Sequence, residues 1–277
     1  MGQPWRKHAE DTKWTEKYSK TLRSKVRKIV LNETCKPTLL LLGPSGHGKS
    51  TLINSISTIS NNRQSNIANS ASAASTQSTT EFRRYELRGY LDTFRVADTA
   101  GVTLEENEQY LENILEIING HIRPNKEFNV VNSTKDGDYY IKSPGESDKV
   151  HCVILVVDIR NFDKMNTAFK NYKRSIQKML AELNKSDIPR ILVLTHADKM
   201  DSNVNEDISK MFYSEKIKEA VEIASEALGI PLENIHPIVN YSNTSYAVVE
   251  PILHIPILLA LQAALYFASD TLNKRMC

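Results

Sequence analysis

The residues Gly43-Pro44-Ser45-Gly46-His47-Gly48-Lys49-Ser50 satisfy the pattern G-x-x-x-x-G-K-[ST], a device for holding phosphate. Glycines let the backbone curl until several N–H groups converge on one anion. A helix opening at Lys49 adds the positive end of its dipole to the same spot. The Lys49 ammonium can reach terminal phosphates, the Ser50 hydroxyl can ligate magnesium, and Ser45 and Thr51 complete the nucleotide-facing set. The bland alternative is an ordinary glycine-rich turn, but the apolar run 37–42 predicts a strand before the loop, and a helix from Lys49 to about Ser57 follows it.

A phosphate loop alone does not choose a base. In "FRVADTAG" a strand ends on Asp98, whose carboxylate can hold magnesium through a water, while the Gly101 N–H can meet a third phosphate. "LTHAD" places Asp198 after another apolar strand, with Thr195 and His196 ahead of it. An ionised Asp only accepts hydrogen bonds, which suits the N1 and N2 donors of guanine and mismatches adenine; a helix-capping Asp would sit there equally well. "IVNYSN" then offers Asn240 and Ser242 where a backbone N–H could meet guanine O6. A threonine that senses magnesium and the third phosphate belongs on the connection before the 81–97 region. Thr79 and Thr80 are the candidates there, with Thr76 further back; as linker residues all three would only face solvent.

Hydrolysis needs a group that orients water. Ras-like proteins often carry glutamine directly after D-x-x-G, but this chain has Val102. His47 inside the loop is the nearest substitute, although that position often points away from nucleotide. A partner-supplied arginine is the other route. Turnover of the isolated protein is therefore expected to be slow.

Strands alternating with helices, most strands apolar on both faces, predict an α/β fold with a mostly parallel sheet covered by helices. The expected strands are 37–42, 81–87, 91–97, 148–160, 190–198 and 236–240. The pair around Arg88-Gly89 forms the single antiparallel hairpin. Helices are expected at 106–122, 164–183, 216–228 and 251–269. Residues 123–146 read as an irregular insertion, and 60–80, almost wholly small and polar, as a mobile loop. Residues 1–34 form a helical extension, with a basic amphipathic helix over 5–30 docked on a G domain of residues 35–277; membrane contact by that helix is a lesser alternative.

Forty per cent apolar and 25% charged residues are ordinary for a globular chain, and 35 basic against 33 acidic residues leave a net charge of +2. That balance gives no broad basic face for nucleic acid. Cys35, Cys152 and Cys277 are too scattered for a disulfide framework or a zinc site. The opening is polar, without a signal region, and Arg6 stands where a myristoylation motif wants Ser or Thr. The apolar run 251–269 is interrupted by His254, Pro256 and Gln262, which favours a buried helix over a span. A cytoplasmic location fits these features.

With these pieces in place, the chain resembles the interferon-induced protein 44 family of GTPase-like proteins. The shared segments, in family order, are "PWRK" at Pro4, "GPSGHGKST" at Gly43, "TT" at Thr79, "ADTAG" at Ala97, "IKSPGESDKVHCVILVVDI" from Ile141 and "NYSN" from Asn240. The resemblance implies a Ras-like P-loop fold with a six-stranded sheet, a GTP/GDP site with Mg2+, and a link to innate antiviral responses. Two departures stand out. Many members carry a further N-terminal domain, so this would be a short homologue or an excised domain. The base motif usually has lysine where this chain has His196, whose imidazole could stack on the base instead. A non-hydrolysing interaction module, a nucleotide-dependent homodimer and a protein partner all remain compatible with the residues.

Overall fold

The computed structural model describes residues 4–6, 14–29, 35–68, 82–99, 108–126, 137–163, 169–241 and 249–276. Six strands form one sheet in the order β2-β3-β1-β4-β5-β6, where β1 is Thr38–Leu42, β2 Arg83–Glu86, β3 Arg95–Asp98, β4 Cys152–Asp158, β5 Arg190–Thr195 and β6 Ile235–Pro237. Only β2 runs antiparallel, against β3; the remaining pairs are parallel. The helices are α1 Glu16–Ile29, α2 Lys49–Asn61, α3 Glu108–Ile118, α4 Phe169–Lys185, α5 Ala197–Met200, α6 Ser202–Glu206, α7 Glu215–Leu228 and α8 His254–Met276. The expected α/β architecture, with one antiparallel edge strand, is the one found.

Every residue of β1 and β4 is buried, and strand geometry sends alternate side chains to opposite faces. Leu40, Leu42, Val153, Leu155, Leu192 and Leu194 pack one way, with Ile114 of α3, Ile176 of α4 and Val221 of α7. Leu39, Leu41, Ile154, Val156, Ile191 and Val193 pack the other way, with Val26 of α1, Ile56 of α2 and Leu261 of α8. Burying one such side chain contributes roughly 1.5–3 kcal/mol, so a sheet covered on both faces is the stable arrangement for strands this apolar. The α8 helix is long and apolar enough to cross a membrane, but Ile255, Leu258, Leu265 and Ala268 lie buried in this second core.

Several boundaries differ from the sequence reading. The α1 helix starts at Glu16, after Thr15 Oγ1 accepts the Tyr18 N–H at 3.2 Å. Trp5 is outside it: its N–H donates to the Phe212 carbonyl at 2.9 Å and its ring meets Phe212 edge-on. The link from β2 to β3 is not a tight turn at Arg88-Gly89. It is eight residues folded onto the end of α2, because Leu91 and Phe94 are fully buried and the Leu91 N–H bonds Ser60 Oγ at 2.9 Å. The first part of the small-polar stretch is likewise tied down. Asn54 on α2 bonds both the N–H and the carbonyl of Ala68, each at 2.8 Å; the rest of that stretch, 69–80, lies outside the described residues. The β6 strand stops at Pro237, three residues short of the expected Asn240: its partner β5 ends at Thr195, His196 turns left-handed, and beyond the Ile238 N–H to Leu194 carbonyl bond at 2.8 Å no regular strand partner remains.

Candidate functional site

The glycine loop joins the end of β1 to α2, and β1 sits at the point where the chain's strand order switches direction, between β3 and β4. Crevices at such switch points, outside the carboxyl ends of strands, are where open α/β sheets bind ligands. Gly43 has φ +147°, and a Cβ there would lie 2.1 Å from the Val156 carbonyl oxygen, so the loop closes down on β4 only with glycine. Gly46 and Gly48 also have positive φ, +78° and +90°. Ser45 and Gly46 are exposed at the loop tip; Thr51 is half-buried in the first turn of α2.

Lys49 is buried, and its Nζ donates to the carbonyls of Gly43 at 3.0 Å and Pro44 at 3.1 Å. An ammonium has three N–H donors, so one is left for a phosphate oxygen. Burial pushes its pKa down, opposed by the charge of Asp98. Ser50 Oγ donates to Asp98 Oδ2 at 2.9 Å. The other carboxylate oxygen, Asp98 Oδ1, is buried without a hydrogen-bond partner, and burial raises the Asp98 pKa despite Lys49 and Ser50. A hydroxyl beside an unsatisfied carboxylate oxygen is a hard-oxygen donor set of the kind magnesium takes. Ser50 and Asp98 therefore fit that ion, which would supply charge neutralisation between phosphates.

His47 is turned beneath the loop. Its Nδ1 accepts the Asp158 N–H at 3.2 Å, and burial lowers its pKa to about 4. A neutral ring with Nδ1 accepting carries its proton on Nε2, so it is a donor and not a base.

Of the residues predicted to meet the base, Thr195 and Asn240 are tied to the glycine loop and the start of α2. Thr195 Oγ1 donates to the His47 carbonyl at 2.9 Å. His196 adopts a left-handed backbone, φ +61°, and directly precedes α5, where Asp198 sits half-buried. Asn240 donates to the Gly48 carbonyl at 3.3 Å and accepts from Ser55 Oγ at 3.4 Å, so it braces the start of α2. Thr79, Thr80, Gly101 and Ser242, like Thr76 and Val102, lie outside the described residues. The sequence reading missed Asp158 and Arg160. Arg160 grips the Asp158 carboxylate, with Nη2 at 2.6 Å from Oδ2 and Nε at 3.0 Å from Oδ1, and His196 Nδ1 lies 3.0 Å from Oδ2. Burial works to raise the Asp158 pKa, but the bonds from His196 and Arg160 hold it well below the usual carboxylate range. The signal available was an acid ending a buried strand with arginine two positions on. A cleft of about 620 Å³ opens elsewhere, lined by Pro189, Arg190, Gly229, Phe267 and Arg275, and contains none of the glycine-loop residues.

Fold, glycine loop, Asp98 and the Thr195–Asp198 turn together define a P-loop GTPase-type domain. Residues 38–196 match the model of the 50S ribosome-binding GTPase family, and the chain belongs to that family. It is similar to interferon-induced protein 44 of Homo sapiens, 30% identical over 85% of this chain and 53% of that protein. The Pan troglodytes counterpart is 29% identical with the same coverage. The chain thus spans about half the length of the curated relatives it matches. Among solved structures it is similar to a dimerization-deficient mutant of Toc33 from Arabidopsis thaliana, with TM-score 0.49, 15% identity, and 92% and 93% of the two chains covered. Membership of a GTPase family supports guanine-nucleotide binding.

Proposed function

We propose that this protein binds GTP and GDP with magnesium and hydrolyses GTP slowly, or at a useful rate only when a partner completes the site, as a cytoplasmic component of an interferon-linked antiviral response. The observation that carries the reading is the buried Lys49 between two loop carbonyls, with the Ser50–Asp98 pair beside it. The interferon link rests on the similarity to interferon-induced protein 44 alone. Asp198 supplies the preference for guanine, Thr79 or Thr80 would complete the magnesium shell, and Gly101 and Ser242 would offer contacts to the third phosphate and the base.

Val102, apolar where a glutamine would orient water, favours a second reading, a nucleotide-holding module that acts through protein partners and does not turn over. The test begins with nucleotide extracted from the purified protein, followed by single-turnover GTP hydrolysis at several protein concentrations. Bound guanine nucleotide, with a rate far below about 10 s⁻¹ that rises with protein concentration, is the expected result. Trans-supplied arginines accelerate such reactions about 10³–10⁵-fold. Guanine nucleotide held without any turnover supports the second reading. A fast, concentration-independent rate that survives His47→Ala would mean that another residue does the chemistry. Equal affinity for ATP and GTP would end the guanine assignment.

A further inference from the structure

We infer that Asp158 is the positioning residue of the base-recognition turn: clamped by Arg160, its carboxylate fixes the His196 ring as the flat surface on which the guanine base stacks. The inference rests on the guanine-nucleotide reading above and names a residue outside the glycine loop and the base motif.

The sheet register brings the parts together. Asp158 ends β4 directly opposite Thr195, which ends β5. The hydrogen-bond network then assigns the imidazole tautomer. Thr195 has one hydroxyl proton, and it goes to the His47 carbonyl at 2.9 Å. Its oxygen, 3.1 Å from His196 Nδ1, is left to accept. Asp158 Oδ2, at 3.0 Å, only accepts. His196 Nδ1 therefore faces two acceptors and carries the proton, which leaves Nε2 on the far edge of the ring.

Asp158 has little freedom to turn. Arg160 donates from Nε to both carboxylate oxygens at 3.0 and 3.2 Å, from Nη2 at 2.6 Å, and from its backbone N–H at 3.0 Å. The Asp158 side chain is 8% exposed, whereas His196 keeps 23% of its side chain open and so has a surface to offer a ligand. A lysine stem at this position needs no fixed ring plane, because a flexible methylene chain lies across a base in many rotamers. An imidazole stacks only when its plane is set, and an anchored Nδ1 sets it. Having histidine at residue 196 thus creates a need that Asp158 meets.

A double-mutant cycle in the full chain separates positioning from general support of β4. GTP, GDP and ATP affinities are measured by titration calorimetry for the wild type, Asp158→Ala, His196→Lys and the double variant. Asp158→Ala is expected to cut GTP affinity at least fivefold, with GDP and ATP affinities falling alongside it. The same change in the His196→Lys background should alter GTP affinity less than twofold. An equal loss in both backgrounds, or no loss in either, overturns the inference while leaving guanine binding intact. A wild type with no guanine preference removes both readings together. Where Asp158→Ala does not fold, Asp158→Asn keeps the side-chain size, and nitrogen-15 NMR of wild-type imidazoles gives an independent readout. A His196 ring protonated at Nδ1 supports the inference; a neutral ring protonated only at Nε2 overturns it.

Discussion

The Thr195 hydroxyl donates to the backbone carbonyl of His47 at 2.9 Å, joining two residues 148 positions apart and linking the Thr195–Asp198 turn to the glycine loop. Both groups are buried, where an unmade hydrogen bond is costly. Thr195→Val keeps the shape but leaves the carbonyl without that donor. A loss of about 1–3 kcal/mol is expected, seen as a lower urea midpoint, together with weaker GTP binding. An unchanged midpoint would show that the bond contributes nothing.

Lys49→Ala removes the ammonium that bridges the Gly43 and Pro44 carbonyls. Losing a charge-assisted contact to phosphate costs roughly 1.5–3 kcal/mol. GTP affinity measured by calorimetry should fall at least tenfold in a variant that still melts cooperatively.

Gly43→Ala should be far more damaging than Gly46→Ala. A Cβ at residue 43 meets the Val156 oxygen at 2.1 Å, whereas nothing lies within 4 Å of one at residue 46. Residue 46, at φ +78°, lies near the left-handed well that other residues sometimes visit, whereas +147° at residue 43 is essentially reserved for glycine, so backbone strain adds to the clash. The difference in thermal midpoint reports the clash with β4 and the extra backbone strain together.

Magnesium should strengthen nucleotide binding only while Ser50 and Asp98 are intact. Ser50→Ala and Asp98→Asn each remove part of the oxygen set beside the unsatisfied Asp98 Oδ1. In each variant, GDP affinity with magnesium should approach that with chelator. A full magnesium effect in both variants would place the ion elsewhere.

Acid should destabilise the protein through three histidines. Burial lowers His47, His151 and His254 to about 4 from an ordinary 6.5. The folded state keeps these rings neutral while the unfolded chain takes up protons, so stability is full above pH 6.5 and falls as the pH drops toward 4. Each histidine contributes roughly 1–3 kcal/mol across that window, and the raised pKa of Asp98 opposes the trend at its acid end. Guanidinium midpoints at pH 7.5, 6 and 5 should decline accordingly. His254→Phe, which keeps an aromatic ring against Tyr241, should flatten the decline.

Periodicity and composition carried the α/β class, because strands such as 152–158 are apolar on both faces and must be covered twice. The glycine loop was legible too: its chemistry resides in local backbone geometry that glycine, lysine and serine encode within eight residues. Boundaries set by distant partners were not legible. The connection after β2 follows α2 because Leu91 and Phe94 find cover there, and Trp5 leaves the helical pattern to meet Phe212. The clamp of Arg160 on Asp158 and the reach of Asp158 to His196 exist only once β4 lies beside β5 with Asp158 opposite Thr195. Sequence spacing alone cannot say which strand neighbours which. The packing of the two buried faces decided that, and with it which carboxylate meets His196.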